Sequence, residues 1–475
     1  MSVRNEMKMR ALVAGELLAA APGTGLPVED PSTGLVIGEV PDLGIDVLDH
    51  AVAAAARAQP GWAADHASRR SVLRRVADVL ESHAEELGAL VCAETGKSAL
   101  GGRMEAVKAA EHLRWMADVD LPHEQLVDDD TRTVLLEHRP IGVVAAILPW
   151  NAPLIMAAHK AGAALRTGNT LVLKPSPHTP LATLRLAELV ADIVPAGVLN
   201  VVTGRDHLGP AMTGHPQVGM VAFTGSVRTG RAIMVNAAAS LKRLTLELGG
   251  NDAAIVLADA DPSVVGAQLF RSAFMNSGQV CQAIKRLYVA REVYDAVVAE
   301  LVKAAEAARL GGPTEDGATF GPLTTAEQLA VVAELVEDAR ARGGQIRTGG
   351  APADRAGHFY PPTVVTGLED TARLVAEEQF GPALPVLVFD DVAEAVERAN
   401  STEFGLSASV WTSDPVHGAE VAEQLVAGSV WVNRHAGVEP HIPFGGMRQS
   451  GIGRESGLTG LLAYTETRTI EIPRS

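Results

Sequence analysis

The stretch Ile141-Gly142-Val143-Val144-Ala145-Ala146-Ile147-Leu148-Pro149-Trp150-Asn151-Ala152-Pro153 joins an apolar run to a turn and a helix start. An apolar run of that length without a charge marks a strand buried on both faces, as in a parallel sheet. Proline is preset for the first turn of a helix, so Pro153 opens one that runs to about Arg166, where Gly168 stops it. The alternation then continues. Strands are predicted over Thr170 to Leu173, Leu199 to Val202, Val218 to Phe223 and Arg243 to Leu246, with helices over Leu181 to Ile193, Leu208 to Gly214 and Thr229 to Ala238. Strand and helix taking turns at this spacing read as an open, mostly parallel sheet covered on both faces. Ligands of such sheets sit beyond the carboxyl ends of the strands.

A second alternating block begins after Gly249-Gly250. Its strands are Ala253 to Leu257, Arg286 to Val289, Leu384 to Phe389, Ser407 to Trp411 and Ser429 to Val432. Its helices fall near Pro262 to Phe274, Val293 to Ala308, Ala326 to Arg342, Val392 to Ala399 and Val416 to Leu425. Ahead of both blocks, helical periodicity covers Asp46 to Arg57, Ala67 to Leu90 and Gly102 to Val119, with Pro60 and the Glu94-Thr95-Gly96-Lys97 turn as punctuation. Two segments, Arg132 to His138 and Thr467 to Ile472, alternate in hydrophobicity and fit neither sheet. Strands of that kind pair readily across subunits.

At 475 residues the chain exceeds one core and suffices for two or three domains. Aromatics make up only 4%, so Ala, Val and Leu must build the cores. The formal net charge of −17 disfavours a nucleic-acid backbone and an anionic membrane surface as partners. Two cysteines, Cys92 and Cys281, cannot form a disulfide framework, and a reducing, cytoplasmic compartment is expected. The start, Met1 to Ala21, resembles a signal peptide only weakly, because Glu6 and Glu16 interrupt it; an N-terminal strand or hairpin is expected instead. The apolar run ending at Trp150 is far below the roughly 20 residues of a membrane span.

Chemistry concentrates in a few turns. Cys281 follows Gly278-Gln279-Val280, a polar, glycine-containing turn. A lone cysteine is more often a small buried hydrophobe, but a thiol in such a turn is a candidate nucleophile. Glu247, in Leu246-Glu247-Leu248-Gly249-Gly250, is a strand-end carboxylate and a candidate general base. Asn151 reads equally as a cap for the helix that Pro153 starts or as a neutral donor to a developing oxyanion. Gly225-Ser226-Val227-Arg228-Thr229-Gly230 lies between strand and helix, where backbone N–H groups meet anions, although it lacks the three-glycine dinucleotide fingerprint. The 14 histidines show no metal-ligand spacing, so no metal is expected.

In order along the chain stand Pro149-Trp150-Asn151, Leu173-Lys174-Pro175-Ser176, Phe223-Thr224-Gly225-Ser226, the Glu247 and Cys281 motifs, Glu377-Glu378-Gln379-Phe380-Gly381-Pro382, and Pro443-Phe444-Gly445-Gly446 with Ser450-Gly451-Ile452-Gly453-Arg454-Glu455. This set resembles the aldehyde dehydrogenase superfamily over nearly the whole chain. The resemblance implies two open parallel-sheet α/β domains, a Rossmann-like cofactor domain and a catalytic domain, plus a small strand-based oligomerisation element. It places the cofactor domain at 1–121 and 141–248, the catalytic domain at 249–445, and the oligomerisation strands at 122–140 and 460–475. It implies Cys281 as nucleophile, Asn151 with the Cys281 N–H as oxyanion site, and Glu247 as the base that activates hydrolytic water. Relatives that pass the acyl group to coenzyme A lack this glutamate, so a free acid is the implied product.

For the cofactor, the resemblance points to Lys174 and Ser176 at the adenosine side, Gly225, Ser226 and Gly230 at the pyrophosphate, and Glu378 with Phe380 at the nicotinamide ribose, with Trp150 and Leu248 alongside. Glu455 corresponds to a distal glutamate linked to Glu247. NAD is the expected cofactor, with NADP possible, because Pro177 stands where the family usually carries an acidic residue that repels a 2′-phosphate. Ala152, His159, Val280, Gln282 and Phe444, with Met275 and Val438, are expected to line the substrate funnel. The family often has large aromatics at the first two, which implies a roomier and more polar pocket. The implied partners are a small aldehyde and further copies of the chain, as homodimer or homotetramer. A semialdehyde dehydrogenase with a narrow anionic substrate, and a catalytically silent family member, are the rival readings.

Overall fold

The computed structural model describes residues 7–474; residues 1–6 and Ser475, which close off the outer segments assigned above, lie outside the described residues. The Ile141 run forms the strand Val143–Ile147 at the centre of an eight-stranded sheet. Arg243–Glu247, Val218–Thr224, Val143–Ile147, Thr170–Lys174 and Leu199–Val201 lie side by side in that order, all parallel. Short antiparallel strands close both edges: Gly451–Ile452 beside Arg243–Glu247, and the hairpin Ala11–Val13 and Glu16–Leu18 beyond Leu199–Val201. The expected N-terminal hairpin is thus built into the sheet edge. Residue alternation sends Val144, Ala146, Leu171 and Leu173 into one core and Val143, Ala145, Val172 and Phe223 into the other, so both faces are packed. The chain order reverses between Val143–Ile147 and Val218–Thr224. A crevice opens at such a reversal, beyond the carboxyl ends of the strands.

The second sheet has seven strands: Gln345–Thr348, Thr363–Thr366, Ala383–Phe389, Ile284–Ala290, Asp252–Val256, Ser407–Trp411 and Ser429–Val432. All but the first are parallel to their neighbours. The first two were not expected from the pattern; they are short, and Gln345–Thr348 is a half-exposed edge. A third sheet joins Thr465–Pro473, Arg132–Pro140 and Glu124–Asp128. The two alternating segments therefore pair with each other, over a register from Thr465↔Pro140 to Pro473↔Arg132.

The N-terminal helices differ from expectation in two places. Pro60 does not end the first helix, which runs Ile45–Ala64. The predicted long helix from Ala67 is two helices, His66–Ser82 and Ala84–Thr95, parted at His83, whose ring nitrogen bonds the Val79 carbonyl. Gly96, at φ +79, ends the second as a left-handed C-cap. No described helix is long and apolar enough to cross a membrane.

Candidate active site

The Pro153–Arg166 helix begins on its proline, with Gly168 at φ +89 just past its end. Its N-cap is Ala152, which makes no side-chain bond, so Asn151 does not cap this helix. A carboxylate from a different helix does that job: Glu105 accepts from Leu154 N–H at 2.8 Å. Glu94 does the same for the Leu181–Val190 helix, accepting from Leu181 and Ala182. Burial pushes the Glu94 carboxyl up to about 8. Sequence reading missed both, because a cap supplied from a distant helix leaves no local signature.

Asn151 is released for other work. Its amide donates to the Gln279 carbonyl at 2.9 Å, in the turn that carries Cys281. That turn is tightly wound: Asn276, Ser277 and Gly278 have φ of +52, +55 and +74. Left-handed non-glycine residues cost free energy, and they persist where surrounding contacts hold them. Here the buried Gln279 side chain holds them, accepting from Thr324 N–H at 2.8 Å and donating to the Asn276 carbonyl at 3.0 Å. Gly278 must be glycine, because a Cβ would strike the Gly381 carbonyl. Cys281 is partly exposed as a residue although its sulfur lies deep in the site, whereas Cys92 is buried against the Ser98 carbonyl. No described residue accepts from the Cys281 N–H.

Glu247 ends the strand Arg243–Glu247 and is 4% exposed, with one carboxylate oxygen unpartnered. Burial first, then the neighbouring Glu455, holds its carboxyl well above the usual range, with Lys160 opposing. Burial and the Glu247 charge likewise push the Cys281 thiol up, and Lys285 opposes them. Past Glu247 the chain turns through Gly249-Gly250 and meets the thiol's own turn: a Cβ on Gly250 would lie 3.1 Å from the Cys281 carbonyl oxygen. Glu455 sits behind Glu247, ion-paired to the fully buried Lys160 and bonded through its backbone to Phe444. Lys160 was not singled out in the sequence, although a lysine inside an apolar helix face is a visible signal.

The expected cofactor residues gather at the carboxyl ends of the first sheet. Ser226 caps the Val227–Ala238 helix, accepting from Thr229 N–H at 3.3 Å. Gly230 lets that helix approach Leu248, whose side chain would be 2.6 Å from a Cβ. Lys174 and Ser176 are buried, and the Lys174 ammonium has no hydrogen-bond partner among the described residues. Burial pulls it down to about 8, against Asp206 and Asp42. An unpaired ammonium that still reaches solvent is open to a polar ligand that completes its shell. Glu378 accepts from Gly250 N–H at 3.1 Å. Phe380, at φ +41, meets Trp150 edge to face at 5.3 Å. An orphan ammonium, a helix N-terminus beside Gly225, and a carboxylate at Gly249-Gly250 fit a nicotinamide dinucleotide.

The substrate funnel needs a correction. Ala152, Val280 and Val438 are half-buried, Met275 is exposed, and Phe444 is 7% exposed. His159, however, is buried against His112, with ring centroids 4.2 Å apart, and burial holds it neutral. Gln282 is buried too, accepting from Gly437 N–H. Neither contributes an open polar face, so the wall is less polar than the sequence suggested. The reason is packing: the imidazole lies against His112 on the Ala99–Asp118 helix. Arg286 is structural, bonding the carbonyls of Asn251 and Ala399.

The aldehyde dehydrogenase family profile matches residues 18–470. The chain is 40% identical to phenylacetaldehyde dehydrogenase of Pseudomonas fluorescens, over 97% of this chain and 95% of that one. It is 38% identical to the NADP-dependent succinate-semialdehyde dehydrogenase of Escherichia coli K12, over 98% of each. An NAD+ complex of an aldehyde dehydrogenase from Bacillus cereus superposes with a TM-score of 0.96 at 37% identity, over 99% of this chain and 97% of that one. The chain belongs to the aldehyde dehydrogenase family, whose members are oxidoreductases that act on aldehydes with NAD(P).

Proposed function

We propose that this protein oxidises an aldehyde to a carboxylic acid, with Cys281 as nucleophile, Asn151 and the Cys281 N–H as oxyanion donors, and Glu247 as general base. The observation that carries the reading is Cys281 in a strained turn fastened to the Asn151 amide, near an unpartnered carboxyl of raised pKa. A carboxylate of raised pKa is a stronger base, once deprotonated, than an ordinary one. The Cys281 thiol releases its proton to solvent, and the sulfur adds to the aldehyde carbon. The carbonyl oxygen becomes an oxyanion, which the free N–H of Cys281 and the second Asn151 amide hydrogen stabilise. A nicotinamide held at this site would accept the hydride that leaves this adduct, so that a thioester remains on Cys281. Glu247 then draws a proton from water as it attacks the thioester, and Cys281 leaves.

Lys174 and Ser176 would hold the adenosine end, the Gly225-Ser226-Gly230 turn the pyrophosphate, and Glu378 the nicotinamide ribose, with Trp150, Leu248 and Phe380 alongside. On this reading the first sheet with its helices is the cofactor domain, the second the catalytic domain. A panel of aldehydes offered with each cofactor, read by nicotinamide absorbance, tests the activity. The open positions Ala152 and Val280 favour bulky apolar aldehydes, and an arylacetaldehyde heads the panel, in keeping with the named substrate of the Pseudomonas relative. Turnover confined to ω-carboxylated aldehydes would instead establish the semialdehyde reading. Turnover of none would establish a silent member.

Pro177 is half-buried, three residues after Lys174. Its side chain neither bonds a ribose hydroxyl nor repels a 2′-phosphate, so discrimination between NAD and NADP should be weak. Pro177→Glu is expected to weaken NADP use more than NAD use. One charge–charge contact at about 4 Å is worth on the order of 1–4 kcal/mol at a partly solvated site. An unchanged ratio of kcat/KM for the two cofactors would remove position 177 from the ribose site.

The third sheet is proposed as the oligomerisation element. Its Thr465–Pro473 and Arg132–Pro140 strands are exposed or half-exposed along their length, with Glu124–Asp128 as a short outer edge. Light scattering at micromolar concentration should show a dimer or tetramer; a monomer would refute this role.

A further inference from the structure

Lys285 is the second residue of the strand Ile284–Ala290 and is 1% exposed. The mechanism above does not use it. Its ammonium lies 2.5 Å from the Cys281 carbonyl oxygen, 3.0 Å from that of Val280 and 3.5 Å from that of Ala283. Glu378 Oε1 is 3.6 Å away, and the Phe380 ring centroid 6.0 Å. An ammonium has three hydrogens to give, and here all are directed into the turn that carries the nucleophile.

The bond to Val280 has a directional consequence. The carbonyl of Val280 and the N–H of Cys281 belong to one planar trans peptide, so they point in opposite directions. Held by Lys285, together with the Ala283 N–H at 3.1 Å, that carbonyl turns the Cys281 N–H away from the strand, to the side where no described residue takes it. Polarising the carbonyl also makes the N–H a stronger donor. The groups facing the thiol from the elements around it are Glu247 at the end of the first-sheet strand, Asp252 at the start of the second sheet, Glu378 from the loop before Ala383–Phe389, and Lys285. Three are carboxyls and one is a cation.

We propose that Lys285 is a positioning residue for the nucleophile: through the Val280 and Cys281 carbonyls it aims the Cys281 N–H at the substrate oxygen, and it sets one buried positive charge beside the thiol. This rests on Cys281 being the nucleophile. The test follows alkylation of Cys281 by iodoacetamide from pH 6 to 10, by mass spectrometry of the Cys281 peptide, in cofactor-free protein. The proteins compared are the unaltered chain, Lys285→Gln, which keeps amide donors without charge, Lys285→Met and Lys285→Arg. In whichever uncharged variant folds, the inflection should rise by about one pH unit, cutting the alkylation rate at neutral pH about tenfold. Lys285→Arg should keep the inflection of the unaltered protein. Steady-state kcat in the uncharged variants should fall about tenfold or more, with KM for the aldehyde changed less than about threefold. An inflection that stays put in an uncharged variant, or moves as far in Lys285→Arg, overturns the proposal. In the unaltered protein, activity that survives full alkylation of Cys281 would sink the nucleophile assignment instead, and the thiol profiles would still be read.

Discussion

Cys281→Ala should abolish aldehyde oxidation, by on the order of 10⁴–10⁶-fold in kcat, while Cys92→Ser stays within about threefold of the unaltered enzyme. Losing a covalent nucleophile removes the whole route, and residual activity then rests on binding and oxyanion contacts alone. The two thiols contrast in place and in neighbours. Cys281 is half-exposed in the turn bonded to Asn151. Cys92 is buried in the Ala84–Thr95 helix, packed so closely on the Ala99–Asp118 helix that a Cβ on Gly102 would strike its sulfur. Burial pushes both thiols up, so what separates them is position and the unpartnered Glu247 carboxyl near Cys281, not acidity. A serine there retains the bond to the Ser98 carbonyl. Equal loss in both variants, with circular dichroism unchanged, would sink the assignment of Cys281.

Glu247→Gln should leave the first half-reaction running and stall the second. Rapid mixing at neutral pH should show a burst of reduced cofactor, then turnover slowed by roughly 10²–10⁴-fold, the usual worth of a general base. The amide fills the same volume, so the turn and the cofactor residues stay in place. Because burial and Glu455 hold the Glu247 carboxyl above the usual carboxylate range, the deprotonated base becomes more abundant as pH rises. Hydrolysis should therefore climb with pH through that raised value in the unaltered enzyme and lose this dependence in Glu247→Gln. Steady-state turnover unchanged by the substitution would remove Glu247 from the mechanism.

The sequence by itself determined the architecture wherever burial and period agree. Val143–Ile147 is a buried strand because its apolar run allows nothing else, and Pro153 with Gly168 brackets the helix that follows. It also picked out the turns at strand ends, because glycines and polar residues interrupt otherwise apolar segments there. Where the pattern weakens, so does the reading. The edge strand Gln345–Thr348 is short and half solvated, and Pro60 sits in a helix whose packing outweighs its breaker.

Only the tertiary structure shows that Asn151 does not cap the helix, because that depends on Glu105, 46 positions earlier, reaching the helix N-terminus. Only it buried His159 against His112 and Lys285 beneath Cys281. The physical reason is common to all three. Period and turn chemistry are local and add up along the chain, whereas the fate of a buried polar group depends on which partner the fold brings within about 3 Å, and that partner is usually far away in sequence.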